Sequence, residues 1–481
     1  MMKYILSVLL IISSCYLGFS QVGINTTDPD ASAALDIVAE DSGILIPRMT
    51  TLQKTEIEDP AHSLLVYDTD LEGYYFNQGT MTTPNWTPML SGKAARDNYV
   101  LVKSVDDLPA AADGKITLDE NTYYEINGTI TLTASINLNN AYVSGMDASE
   151  DVLFYSGGTV FAGSTGGNIR NVTLSGAKAF NITGPGIASA SSLLVQNTII
   201  ANMTTSVGDI NGIGLVFGNI VQFIDNLDGI TYSNIGNLLL NNQAWIGNNS
   251  GTYETFTGNF GLVEKASGFS TVSSSATGLD VSNNPTVGTG TLIGTVFSGS
   301  GLYVDPYNSG TGIYNGYNFS NTWTINSPGI KKEEDDVTTA NIYYSSANIV
   351  TLSSGSIKLP VTTTLTRNFR SSQRSSGNSS NSFVYKGNED KVINVFGSIS
   401  FTAIAGMRLT FSVHKNGTLV PGSQVVYDVA DTNGRLGLAI VATVDVKPND
   451  YLEIYVERNI SSGSETNDNQ FLVTSYNLLF N

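Results

Sequence analysis

The chain has 481 residues, too many for one hydrophobic core and enough for about three domains. Only 14% of residues are charged, Gly, Ser, Thr and Asn are abundant, and Val, Ile, Tyr and Phe fill the apolar positions, so the composition points to β-structure and away from long amphipathic helices. A net charge of −19 argues against nucleic acid or an anionic membrane as partner. One cysteine, Cys15, and two histidines, His62 and His414, leave no material for a thiolate-bound metal or a multi-histidine centre, and no cofactor is expected.

Met1 to Ser20 sets Lys3 before a largely apolar stretch, Ile5 to Ile12, and ends on Gly18-Phe19-Ser20, the layout of a secretory signal cleaved after Ser20. The mature chain is therefore expected outside the cell or on its outer surface. Ile12-Ser13-Ser14-Cys15 also fits a lipobox, in which case Cys15 would be the lipidated N-terminus. No later segment approaches the roughly 20 apolar residues of a membrane helix.

The block 21–97 contains Gln21-Val22-Gly23-Ile24-Asn25, Ala33-Ala34-Leu35-Asp36-Ile37, Gly43-Ile44-Leu45-Ile46-Pro47-Arg48-Met49 and Gly73-Tyr74-Tyr75-Phe76-Asn77. Leu64–Tyr67 and Gly73–Phe76 read as a hairpin. Thr50–Asp59 reads as a short helix, with Thr51 as its cap, Leu52 and Ile57 packing, and Lys54 among the polar residues. The wording of this block resembles the N-terminal region of many surface and fibre-like proteins of the Bacteroidetes and is similar to segments of phage tail fibres. That resemblance implies an attachment module and brings no catalytic residues. Ser91–Asp97 reads as a linker.

From 98 to 305 short apolar runs are broken by Gly or Asn, as in Ile126-Asn127-Gly128-Thr129-Ile130 and Leu193-Leu194-Val195-Gln196-Asn197-Thr198. They recur at loose intervals of roughly 20–25 residues, the repeat scale of a parallel β-solenoid whose turns stack over a common core. Asn181, Asn197, Asn202, Asn219, Asn226, Asn234 and Asn241 suit its corners, where Asn tolerates left-handed backbone and stacked amides form ladders. The pattern resembles the right-handed β-helix of pectate-lyase-like proteins and phage tailspikes. A string of hairpins is the alternative.

The stretch 306–381 reads as a Tyr-, Asn- and Ser-rich connector, with Lys331-Lys332-Glu333-Glu334-Asp335-Asp336 as a solvated loop and Arg367–Asn381 as a mobile surface loop. In 382–481 strands alternate cleanly at Val392–Ala403, Met407–His414, Gln424–Val429, Leu436–Val446, Tyr451–Glu457 and Phe471–Phe480, and Asn416-Gly417 marks a hairpin. This makes an antiparallel jelly roll. Phe411–Thr418, Val420–Ser423 and Lys447–Glu457 resemble the trimeric head domains of the C1q and tumour-necrosis-factor type found on phage fibres, which implies a homotrimer with one jelly-roll face at the threefold axis. The expected fold class is all-β, a β-helix shaft followed by a jelly roll, with a small α+β N-terminal module.

For chemistry, a polysaccharide lyase or hydrolase would need two carboxylates about 5 to 10 Å apart. The shaft offers Asp147, Glu150, Asp151, Asp209, Asp225, Asp228, Glu254, Glu264 and Asp280, with Lys115, Arg170, Lys178 and Lys265 as its few basic groups. These sparse acids read as solubilising. Asp335, Asp336, Asp445, Asn449 and Asp450 offer hard oxygen ligands, yet no calcium-loop motif is present. Flat rings beside amides suit sugar faces, and Trp245, Tyr253, Tyr303, Tyr307, Tyr314, Tyr317 and Trp323 are the candidates. The sequence therefore reads as a secreted or surface-displayed homotrimeric fibre or adhesin that binds surfaces or polysaccharide without catalysis. The alternatives are a phage or phage-like tail fibre or receptor-binding protein at a virion surface, and a polysaccharide-degrading spike.

Overall fold

The computed structural model describes residues 21–89, 98–353, 355–376, 379–430, 434–459 and 469–481, and the signal read in 1–20 and the linker at 91–97 lie outside them. The protein is nearly all-β, 56% strand and 3% helix. It forms two units, one up to Ala95 and one from Arg96.

In the first unit Val22–Ile24 pairs in parallel with Leu35–Ile37. Arg48–Met49, Leu65–Asp68, Gly73–Asn77 and Trp86–Pro88 form a four-stranded sheet, with the expected hairpin registered Leu65 to Phe76. The helix is Thr51–Thr55, capped by Thr50 rather than Thr51 in a capping box with Gln53. Its faces are also the reverse of expectation, because Lys54 is buried and Leu52 is exposed. The reason is electrostatic. Lys54 donates to the buried Asp68 at 2.6 Å and lies over the Tyr75 ring, while Thr51 and the amides of Asp70 and Leu71 also donate to Asp68. Burial pushes the Asp68 carboxyl up, but these donors outweigh it and hold the pKa down at about 2.

The second unit begins with a parallel β-solenoid of about nine turns. Three strands per turn make three faces. The first face runs from Tyr99–Val102 through Tyr123–Ile126, Tyr142–Ser144 and Gly167–Arg170 to Trp323–Asn326, each rung hydrogen-bonded to the next. The second runs from Thr129–Thr131 to Val296–Gly299 and the third from Lys115–Thr117 to Leu302–Asp305. A short turn runs from Tyr123 to its register partner Tyr142 and a long one from Gly290 to Trp323, on either side of the spacing read in the sequence. Inward side chains form one continuous core, in which Phe161 stacks on Phe180 and Trp245 on Tyr253. Apolar burial at about 25 cal/mol per Å² drives the stacking, and the ladders satisfy the backbone.

The turn from first to second face is made by one residue with left-handed backbone at the same place on successive rungs: Asn171, Asn197, Ile220, Asn242, Ser267 and Gly294, with φ between 47° and 71°. Asn and Gly adopt this backbone readily, and a β-branched residue does not. Asn202, at φ 57°, opens the next corner, whereas Asn181, Asn219 and Asn241 lie within strands.

The jelly roll follows. One sheet contains Thr339–Tyr344, Asn348–Thr351, Thr364–Phe369, Lys391–Thr402, Leu436–Val446 and Gln470–Phe480, and the other contains Ser371–Ser376, Ser379–Tyr385, Arg408–Lys415, Tyr451–Asn459 and three short strands, Ile357–Lys358, Thr418–Leu419 and Val425–Asp428. A single apolar cluster fills the space between them. The stretch read as connector is thus divided: Trp323–Asn326 closes the solenoid, and the strands from Thr339 onward belong to the jelly roll. The described residues of 367–381 fall in strands, Thr364–Phe369, Ser371–Ser376 and Ser379–Tyr385, rather than in a loop because polar groups bond inward: Gln373 donates to Thr363 and to the carbonyl of Ser380, and Asn381 donates to the carbonyl of Leu359.

Two outcomes follow from these contacts. The Asp68 carboxylate stabilises the first unit above its ordinary value near pH 4, and that contribution is lost as pH falls through about 2. A melting series from pH 5 to pH 2 should therefore show a falling midpoint that is absent in Asp68→Asn, whose melting point is already low. Ile220→Asn should raise the second unit's stability by about 1 kcal/mol in denaturant titration, since it relieves the left-handed strain of a side chain that is 45% exposed.

Candidate recognition groove and the joint between solenoid and jelly roll

The aromatic side chains proposed from sequence as a sugar platform mostly face inward. Trp245 and Tyr253 stack at 4.5 Å in the solenoid core and are almost fully buried. Tyr303 is half-buried against Phe297 and donates to the carbonyl of Gly299. Trp323, on the last rung, donates to the Tyr307 hydroxyl at 3.1 Å, and Tyr307 donates to the carbonyl of Pro285. Tyr314 and Tyr317 pack on Phe369 of the jelly roll, Tyr317 stacking at 3.9 Å, while Lys331 covers the other ring face of Tyr317 at 3.3 Å. Rings enclosed in this way offer no flat surface to a ligand. They cap the solenoid and fasten the jelly roll to it.

The charged run 331–336 is only partly solvated, with Lys331, Lys332 and Asp336 exposed and Glu333 and Asp335 buried. Glu333 is buried, accepts from the amides of Asn318 and Phe319 at 2.7 and 2.9 Å, and has its pKa raised by that burial. Arg370 is buried at φ 48° and reaches Asp335, the carbonyl of Trp323 and the carbonyl of Glu333. Asp335 also accepts from the amides of Asn388 and Glu389, both at 2.8 Å. Burial raises the Asp335 carboxyl, but Arg370 and these amides outweigh it and lower its pKa. One guanidinium thus ties the last rung, the Asp335–Val337 turn and the jelly roll together. A polar cleft of about 250 Å³ opens beside it, lined by Glu334, Asp336 and Glu389 as well as by Asp335 and Arg370.

Several of the shaft acids are engaged within the protein. Asp151 is buried and accepts from the amides of Gly128, Met146 and Asp147, which together lower its pKa against the opposing effect of burial. Asp228 accepts from the amides of Gly229 and Thr252, and Asp280 from that of Ser282. Asp209 pairs with Lys178 at the surface. Glu254 and Lys265 form a 2.9 Å pair sealed in the core, where burial raises the Glu254 pKa. Asp147, Glu150 and Glu264 are exposed. His414 stacks on Tyr455, and His62 bonds the carbonyl of Gly79. Among the described residues no three His, Cys, Asp or Glu side chains gather as metal ligands do. Asn449 and Asp450 instead bond Lys386 and Asn416.

One open groove is built differently. At the corner between second and third faces Asn202, Asp225 and Asn248 take equivalent places on three successive turns and line about 420 Å³ with Thr204, Leu227 and Ser250. Its floor is a buried amide ladder. Asn226 accepts from the amide of Met203 and donates to the carbonyl of Ile200 and to Asn249, which donates to the carbonyls of Phe223 and Ile246. Rigid corners hold a row of amides and one carboxylate toward solvent, with Leu227 as an apolar edge. The sequence shows parts of this site, Asn202 and Asn226 among the corner asparagines and Asp225 among the shaft acids, without joining them. The repeated pairs Asp225-Asn226 and Asn248-Asn249 are the signal that locates it.

Replacing Arg370 by Met should destabilise the second unit by about 3 kcal/mol, because it strands Asp335 and two carbonyls away from water. Denaturant unfolding measures this, and Arg370→Lys should restore only part of the loss because it cannot fork.

Residues 23–100 match the family described as the phage tail like trimerisation region. No curated protein matches the chain. Among solved structures, murine APRIL aligns at 10% identity and a TM-score of 0.18, over 29% of this chain and 98% of that one. The enzymatically active domain of bacteriophage CBA120 tailspike protein 4 aligns at 10% identity and a TM-score of 0.19, over 91% of this chain and 77% of that one. At those scores neither likeness bears on what this chain does.

Proposed function

We propose that the chain is a homotrimeric fibre, a receptor-binding protein of a phage or phage-like tail, displayed outside the cell or on a virion surface. The observation that carries this reading is the uncovered apolar surface inside the matched trimerisation region. Ile24, Leu35 and Val38 are each about half exposed, and Ile44 and Leu45 are 60% and 76% exposed. A parallel ladder of two three-residue strands is marginal by itself, and such a density of uncovered aliphatic side chains marks a surface made to be covered. Sister copies supply the cover, and the family match supports that choice.

The groove at Asn202, Asp225 and Asn248 is the recognition element we assign to the fibre. Its amides and its length over three turns suit an extended, hydroxyl-rich ligand such as a surface polysaccharide. Three copies of a weak site gain avidity on a repetitive surface. The groove carries one carboxylate where glycoside hydrolysis uses two, so binding without cleavage is the reading it supports.

Sedimentation equilibrium of the full chain should return three times the chain mass, and Ile24→Asp with Leu35→Asp should shift it toward monomer. A wild-type chain that is monomeric at micromolar concentration contradicts the proposal. Asn202→Ala with Asp225→Ala should keep the trimer yet weaken adhesion to polysaccharide-bearing cells about tenfold or more, because the loss repeats in all three copies.

A further inference from the structure

The three faces of the solenoid differ in what they show to solvent. On the third face, the outward column through successive rungs reads Asn181, Asp209, Thr231, Thr255, Asp280 and Asp305. On the first face the corresponding column holds Tyr99, Tyr123, Tyr142, Leu194, Phe217 and Leu239, interrupted only by Asn168 before it reaches Glu264. Tyr99 and Tyr142 are each 44% exposed, and the remaining four are half-buried by their column neighbours alone. One face of the shaft is thus polar and acidic, and another is an apolar stripe over seven rungs.

We infer that this first face is where the shafts of sister copies of this chain pack together; the inference rests on the trimeric reading above and extends it from the N-terminal region to the solenoid. Three observations select that occupant. The trimerisation match runs to residue 100, so it ends inside the first rung, on the strand that carries Tyr99 at the head of the stripe. Chains of net charge −19 repel one another and approach most easily through surfaces poor in acids; among the described residues the first face carries only Glu125, which accepts from the Tyr99 hydroxyl at 3.0 Å, and Glu264, whereas the third sets Asp209, Asp280 and Asp305 in one column. The Tyr99 and Tyr123 rings stack on each other at 6.0 Å and 15°, so each gives one ring face to the other within the column. The ring faces paired in this way are closed to a sugar.

The test uses the full chain with outward substitutions that leave the core intact. Phe217→Glu places a charge on the stripe, and Thr231→Glu places one on the third face. By sedimentation across a dilution series, the first should raise the concentration at half-dissociation of the trimer at least about tenfold and the second should change it less than about twofold. In a Cys15→Ser background, Phe217→Cys chains should be joined to one another by a short bis-maleimide while Thr231→Cys chains are not, which reads proximity even where dissociation is too slow to measure. Equal responses of the two faces in a molecule that stays trimeric overturn the inference and leave the trimeric reading standing. So does loss of cell adhesion by Phe217→Glu with trimerisation unchanged, which makes the stripe a ligand surface. A wild-type monomer overturns both.

Discussion

Backbone pairing between one turn and the next is the interaction from which the rest of the second unit follows. Each rung of the first face donates and accepts along its whole length to rungs a full turn away in sequence, so a side chain's neighbours are set by register rather than by chain proximity. That register is marked at the corner from first to second face by one left-handed residue on each of six successive rungs. Once the corners align, inward positions become a continuous core, outward positions become columns, and the Asn226 and Asn249 amides meet as a buried ladder. The groove and the apolar stripe are both consequences of stacking, since no single turn contains either.

The joint solves a second physical problem. A solenoid ends on an open core, and the last turn here closes it with a long loop that lays Tyr307 and Phe319 beside Trp323. The jelly roll is then fixed to that cap through Phe369 and the adjacent Arg370. Burying a guanidinium is costly unless it finds partners, and Asp335 with two carbonyls takes up Nη1 and Nη2, while among the described residues no protein group accepts from Nε. For a fibre the result is mechanical: force on the jelly roll passes into the solenoid through packed rings and an ion pair instead of through a loose tether.

Much of this was legible in the sequence. Apolar runs broken by Gly and Asn predict stacked turns because left-handed corners need those residues, and Asn197, Asn202 and Asn234 do sit at such positions. Alternation predicts the jelly-roll strands closely, with Leu436–Val446 placed to the residue, because each strand has one buried and one open face. Inside and outside could not be read for the aromatic residues. Tyr253 faces the core and Tyr142 faces out, and only the neighbouring turns decide which. The charged run 331–336 looked solvated because its partner, Arg370, lies far beyond Asp335 in sequence, in a segment whose polar composition hid two strands. Lys54 misled for the same reason, its acid being on a strand that folds back over the helix.

The central claim is that stacked turns and sister copies, rather than reactive side chains, are what the molecule provides. Electron micrographs of the purified full-length chain test it most directly. Averaged particles should show three shafts about one axis with their heads grouped. Averages that resolve single, separate shafts at every concentration would contradict it.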